Sequence, residues 1–454
     1  MMTANLVNLS AIVATIGLFV CLAVDLRRGL YRVVFGRSAV LLSVLIWFLL
    51  EALRTPADLG RYSQAEYDFG VLCVALSVAM FLFAYHRSRV PLFAPFARRL
   101  PMVDHPRVLW LLVVFGMTIG MGSLVVYSGF DFWELTQGLT GPRKRWTGVG
   151  RGRYGSWSTI LFELQMFQQA TVPLAVALLF MKRAPTGQRA VAGGFVLWML
   201  LRTFWSGTRG PMIPIFLALA AAVFWRATPL MRKRLVLFGV PLAIAGGITW
   251  SAIVVAGRNE GRFEIADAKE VDYVGYEMFR ELLFIVRATD QGMPLQWGMT
   301  YFTQLVNPIP RAIWPGKPVA DAGLILARAY GAVDKNGEPT MTNSPGFIGE
   351  AYLNFGMLGL LLVPALAGVI VRAWDDLFPI ASRSFPAFII YAGGIATIFM
   401  SGRSFNFSTF YGLCSLFVLM VAFEVLGIYA PQALPSPRYR GPSRPMPAAS
   451  ASRS

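Results

Sequence analysis

The chain has 454 residues, of which 56% are hydrophobic and only 14% charged, with a mean hydropathy of +0.56. Soluble domains carry about 25% charged residues, so this composition excludes an ordinary water-soluble enzyme or binding module. A net charge of +17 would suit a nucleic-acid partner in a soluble protein. Here the placement of the cations accounts for it differently, and no nucleic acid is expected.

Apolar runs long enough to cross a bilayer as helices, or nearly so, lie near 5–24, 38–53, 69–85, 108–127, 158–181, 189–203, 211–225, 235–254, 346–371, 386–400 and 409–429. They predict an all-α, polytopic fold: one transmembrane domain over 1–429 with about eleven spans (ten to twelve). The first run has neither a basic leading segment nor a small-residue cleavage site, which predicts a retained helix and not a signal peptide. Cys21, Cys73 and Cys414 all fall inside apolar runs and supply neither a disulfide framework nor metal-ligand spacing.

Basic clusters occupy alternate connections: Arg27, Arg28, Arg32 and Arg37; Arg87, Arg89, Arg98 and Arg99; Lys182, Arg183 and Arg189; Arg226, Arg232, Lys233 and Arg234; and finally Arg438, Arg440 and Arg444. By the positive-inside rule these connections are cytoplasmic. The N-terminus is then outside and the C-terminus inside. The last segment, 430–454, is rich in Pro, Ser and Arg and is expected to be a disordered cytoplasmic tail.

One outer connection breaks the rule. The 128–157 loop carries Arg143, Lys144, Arg145, Arg151 and Arg153, with Gly148, Gly150, Gly152 and Gly155 among them and Trp146 and Trp157 alongside. Five cations on the outer side suit an anionic ligand such as pyrophosphate, and the glycines allow close backbone approach. Anionic lipid heads or acidic loops would account for them less specifically. Two short outer loops add Arg209, set between Gly207 and Gly210, and Arg403, beside Gly402. Arg202 lies just inside the sixth run, where snorkelling lowers its cost.

The large outer connection, 256–345, opens with a mixed-charge stretch. It continues into a predicted amphipathic helix in which Tyr276, Phe279 and Leu283 recur at helical spacing and Arg280 and Arg287 share a face. Such a helix lies flat on the membrane or caps the bundle. Glu277 and Glu281 are the expected ion-pair partners for its arginines if they form a surface network. Next comes Asn307-Pro-Ile-Pro-Arg-Ala-Ile-Trp-Pro-Gly-Lys317, followed by Pro318. Its prolines exclude a continuous helix, so Arg311 and Lys317 are held on a stiff backbone beside Ile313 and Trp314. The loop is partly helical by this reading, with turns at 335–337 and 344–346.

The stretch GMTYFTQLVNPIPRAIWPGKP (298–318), then SPGFIGEAYLNFGMLGLLL (344–362), resembles the Wzy-type oligosaccharide repeat-unit (O-antigen) polymerases. The earlier Ser206-Gly-Thr-Arg-Gly-Pro211 is similar to a short arginine motif of that family. The resemblance implies a glycosyltransferase of the bacterial inner membrane with its active site facing the periplasm. It would pass a glycan from undecaprenyl pyrophosphate to another lipid-linked repeat unit. A chain-length regulator and a flippase are the implied protein partners, and membrane lipids the surroundings. Under this reading Arg311, Arg209 and Arg280 act at the reacting centre, stabilising the pyrophosphate leaving group. Lys317, Arg143, Lys144, Arg145, Arg151, Arg153, Arg287 and Arg403 bind substrate, with Trp314, Trp297 and Tyr301 available to stack on sugar rings. Glu350, at the start of the ninth run, is the candidate base or else a structural partner of an arginine. Asp321 and Glu281 are the fallback carboxylates.

No cofactor is expected, and no metal. The only histidines, His86 and His105, fall in a predicted cytoplasmic connection, which argues against outer-face histidine chemistry and a His-ligated zinc. Two other functions compete. A lipid-linked single-sugar glycosyltransferase would use an outer carboxylate among Asp58, Glu66 and Asp68. A flippase or exporter would show two matched halves, and the sequence has no internal repeat.

Overall fold

A computed structural model of the chain describes residues 9–29, 35–53, 62–130, 160–161, 164–205, 212–239, 246, 278–306, 309, 313–318, 320–333, 344–403 and 407–429. Among these the secondary structure is helical, without a strand ladder. In chain order the helices are α1 (Leu9–Arg28), α2 (Gly36–Val44, continuing through π-helical Leu45–Leu49 to Leu50–Ala52), α3 (Gln64–Arg87), α4 (Ala94–Arg99), α5 (Pro106–Tyr127) and α6 (Met166–Phe180). Then come α7 (Thr186–Trp205), α8 (Met212–Arg226), α9 (Pro229–Arg234), α10 (Met278–Asp290), α11 (Met299–Val306) and α12 (Ala322–Ala329). The last are α13 (Gly346–Phe355), α14 (Met357–Asp375), α15 (Phe385–Ser401) and α16 (Phe407–Val425). Every expected span except 235–254 overlaps one of them, and most of 235–254 lies outside the described residues.

Leu9–Arg27, Gln64–Arg87, Pro106–Tyr127 and Met357–Ala381 are long and apolar enough to cross a membrane, and Met166–Phe180, Met212–Arg226, Phe385–Ser401 and Phe410–Val425 are shorter apolar helices. The protein is therefore membrane-embedded and all-α. Helix α1 shows the lipid-facing pattern: Leu9, Val13, Ile16 and Val20 are exposed on one face, while Ala11, Thr15 and Leu18 are buried on the other.

Close helix packing in lipid relies on small residues and on polar groups that find partners. Gly116 and Gly120 of α5, four residues apart, let Thr171 and Gln168 of α6 approach. A Cβ on Gly120 would stand 2.7 Å from the Gln168 backbone nitrogen. The Gln168 Nε2 donates to the Gly120 carbonyl at 2.6 Å.

Helices α3 and α14 share the most extensive contact in the bundle, sealed at one end by Asp375. Its buried carboxylate accepts from the Tyr85 hydroxyl (2.8 Å), the Tyr391 hydroxyl (2.9 Å) and the Gly36 and Arg37 amides (2.7 and 3.2 Å). The two amides begin α2, so a carboxylate from another helix satisfies the otherwise orphaned N–H groups there. Arg37, expected only as a topology signal, pairs with Asp25 at 3.1 Å. We call this the basic end of the bundle, since Arg87, Arg98, Lys182, Arg226, Lys233 and Arg383 all belong to segments flanking it. The opposite end carries α10 to α13.

There the expected ninth span is divided. Its polypeptide breaks at Gly356, where φ is +57° and ψ −139°, a conformation closed to other residues without strain. Ten-residue α13 is too short to cross a membrane, whereas Met357–Ala381, which contains α14, is long and apolar enough. The amphipathic helix α10 stands against α3 and α13, with Met278, Phe279, Leu282, Leu283, Ile285 and Val286 buried. It packs onto the bundle through this buried face. Its first amides, of Phe279 and Arg280, donate to the buried Glu51 carboxylate at 2.8 and 3.3 Å, a second helix start closed by a carboxylate from elsewhere.

Candidate functional site

Helices α11 and α13 meet around one carboxylate. Glu350, 1% exposed, accepts at Oε1 from the Thr300 hydroxyl (2.9 Å) and the Gln304 amide (3.2 Å). Asn354, one turn further along α13, donates from Nδ2 to Thr300 Oγ1 at 2.7 Å and to the Glu350 carbonyl at 2.8 Å. Its Oδ1 accepts from the Gly298 amide at 3.0 Å. The carbonyls closing α13 are also satisfied from this side: the Gln296 amide donates to Leu353 and the Trp297 amide to Asn354, at 3.0 and 2.9 Å. Tyr411 of α16 donates to the Gln304 carbonyl at 3.0 Å, tying the network to the helix behind it.

Among the described residues no cation pairs with Glu350, and its Oε2 takes no hydrogen bond. Burying a carboxylate without a counter-charge is costly, and an ionisable group at such a position in a membrane protein marks function by default. An oxygen without a partner among the described residues suits a proton acceptor.

The proline run begins directly after α11 and is tied back to itself. Lys317 is buried, and its ammonium donates to the Ile309 carbonyl at 2.8 Å. Its amide donates to the Trp314 carbonyl at 3.2 Å. The Thr303 hydroxyl, on α11, reaches the Ala320 carbonyl on the far side of the run. Asp321 caps α12, accepting from the Leu324 amide at 3.1 Å, so this fallback carboxylate holds a helix end. Trp314 meets Phe302 edge-on with ring centroids 6.3 Å apart. Trp297, Met299, Phe302, Leu305, Ile313 and Trp314 form an exposed apolar rim beside the carboxylate.

The expected cations divide into three groups. Arg311, Arg209, Arg143, Lys144, Arg145, Arg151 and Arg153 lie outside the described residues, as does Asp58. Arg287 is engaged in a fork with Glu66 of α3: Nε bonds Oε1, and Nη2 bonds Oε2 at 2.7 Å. Its guanidinium also lies 4.3 Å from the Tyr62 ring centroid. Burial pushes the Tyr62 phenol up to about 12, against the lowering effect of Arg287 and Arg280, so Tyr62 stays neutral. Arg287 thus pairs with Glu66, 221 residues away, and Glu277, an expected partner on the same helix, lies outside the described residues. Glu281 instead accepts from the Tyr330 hydroxyl at 3.1 Å. Arg280 is half-buried on the same helix, and Arg403 stands 6.0 Å from the Trp47 ring centroid.

Sequence reasoning missed the supports of the carboxylate. Thr300 and Gln304, and likewise Glu350 and Asn354, are polar pairs four residues apart. Each pair lines one face of its helix, which is the signal that finds them. Arg202 was noted but not its partners: it donates to the side chains of Gln168 and, at 3.0 Å, Gln165. These two glutamines hold a guanidinium between α6 and α7.

Among known proteins, a family model described as a domain of unknown function, DUF8712, matches residues 289–431, which include the end of α10, the proline run and α11 to α16. No curated protein and no solved structure matches the chain.

Proposed function

We propose that this protein polymerises undecaprenyl-pyrophosphate-linked oligosaccharide repeat units into a surface polysaccharide, by glycosyl transfer at the periplasmic face of the bacterial inner membrane. The observation that carries the reading is the Glu350 network. It joins the two stretches behind the resemblance, 298–318 and 344–362, around one buried carboxylate without a cation partner among the described residues.

In the proposed step an acceptor sugar hydroxyl attacks the anomeric carbon of the donor glycan. The new C–O bond forms as the bond from that carbon to the pyrophosphate breaks. Glu350 Oε2 takes the hydroxyl proton, and the electron pair leaves on the carrier pyrophosphate. Arg311 and Arg209 would stabilise the charge developing there, with Arg143, Lys144, Arg145, Arg151 and Arg153 gathering the polyanionic donor. In this reading the basic end faces the cytoplasm, the proline-run end faces the periplasm, and about eleven spans put the N-terminus outside. Of the three carboxylates of the single-sugar alternative, Asp58 lies outside the described residues. Glu66 is engaged by Arg287 and Ser63, and Asp68 accepts from Ser10 and Gln64.

The test is to delete the gene and resolve the cell's surface glycans on a gel. Loss of long chains with single repeat units still present is the expected result. Unchanged chain lengths, or loss of all surface glycan, would overturn it.

A further inference from the structure

We propose that the basic end of the bundle binds anionic phospholipid headgroups at a site centred on Arg226 and built from three separate segments. Arg226, the last residue of α8, has its guanidinium against two rings, 5.3 Å from the Phe180 centroid and 5.6 Å from that of Phe385. It also donates to the Phe180 carbonyl at the end of α6. Lys182 and Arg183 follow Phe180 by two and three residues, and Arg383 precedes Phe385 by two. The same contacts that fix Arg226 therefore gather four cations. Arg232 of α9 joins them, bonding the Phe224 and Trp225 carbonyls at 3.0 and 3.1 Å.

Among the described residues none of these five pairs with a carboxylate. Three of them, Lys182, Arg183 and Arg383, are exposed with no side-chain partner there. Arg226 and Arg232 use only part of their donor sets on helix-end carbonyls, where a cation is favoured.

The surroundings select a lipid over a soluble polyanion. Phe216, Ala220 and Val223 form an exposed stripe on α8 at helical spacing that leads to Arg226. An acyl chain laid along that stripe places its phosphate at the guanidinium. Leu230 and Met231 of α9, with Leu237 and Phe238 after it, are exposed beside Arg232 and Lys233. A water-soluble acidic partner would leave these apolar groups unexplained. Phe180, Trp225 and Phe385 supply an aromatic layer of the kind found at headgroup level, and clustered cations there attract anionic lipid.

The test uses the full chain in neutral detergent, titrated with phosphatidylglycerol or phosphatidylcholine while lipid adducts are followed by native mass spectrometry and unfolding by a thermal melt. Phosphatidylglycerol should bind and raise the melting temperature, and phosphatidylcholine should do so far less. Combining Lys182→Gln, Arg183→Gln and Arg383→Gln should weaken phosphatidylglycerol binding by at least about tenfold. A control with Arg87→Gln, Arg89→Gln and Arg98→Gln, at the same end but outside the site, should keep wild-type affinity. Equal binding of the two lipids, full affinity in the first triple variant, or an equal loss in the control would each overturn the proposal. Equal binding of the two lipids would leave the cations to a soluble polyanion.

Discussion

Replacing Glu350 by Gln keeps its volume and an acceptor for Thr300 and Gln304, and removes the oxygen that takes a proton. Under the polymerase reading Glu350→Gln should lower polymer formation by about 10²–10⁴-fold, assayed as long-chain surface glycan, with the protein accumulating normally. Near-wild-type chains would make Glu350 a structural link. Asp375 is a useful contrast because all its bonds go to the protein's own groups. Asp375→Ala leaves two tyrosine hydroxyls and two helix-start amides without their acceptor. It should cost about 3 kcal/mol, read as a lower melting temperature in detergent. Of the two, only Glu350 stood out in the sequence, as a lone carboxylate opening an apolar run beside a recognisable motif. Its supports did not, because Thr300 and Gln304 on one segment and Asn354 on another acquire a common purpose only once α11 has docked on α13.

Helices as such were legible, since apolar runs of this length have few alternatives to α-helix in lipid. Interruptions within them were not. Residues 346–371 form one apolar run, yet the chain turns at Gly356 and delivers a separate ten-residue helix before α14. Gly356→Ala should cost about 1–3 kcal/mol from backbone strain and shift the carboxylate, so that polymer formation falls more than the melting temperature suggests. The partner of Arg287 was likewise not legible: the fold brings Glu66 to it from the start of α3, across 221 residues of sequence. Both partners are partly exposed, so Arg287→Ala should cost only about 1 kcal/mol. The reciprocal exchange of Arg287 and Glu66 should recover part of it in the same melt.

For the whole molecule, composition alone gave the membrane-embedded, helical class, and alternate basic connections gave a sidedness that chemistry can check. With Cys21, Cys73 and Cys414 replaced, a cysteine at Lys233 should react with a membrane-impermeant maleimide only after the inner membrane is opened. One at exposed Ile313 should react once the periplasm is accessible, and the reverse pattern would invert the topology. Convergence of the expected cations is beyond reach of the sequence, because it depends on which distant loops share one end of the bundle, and most of these cations lie outside the described residues. The proline run shows what such sharing entails. Its lysine is spent on its own loop, and its far side is fastened to α11 through Thr303. That same short helix presents Thr300 and Gln304 to Glu350, so loop and carboxylate form a lever with one fulcrum: a load on the loop is felt at Glu350.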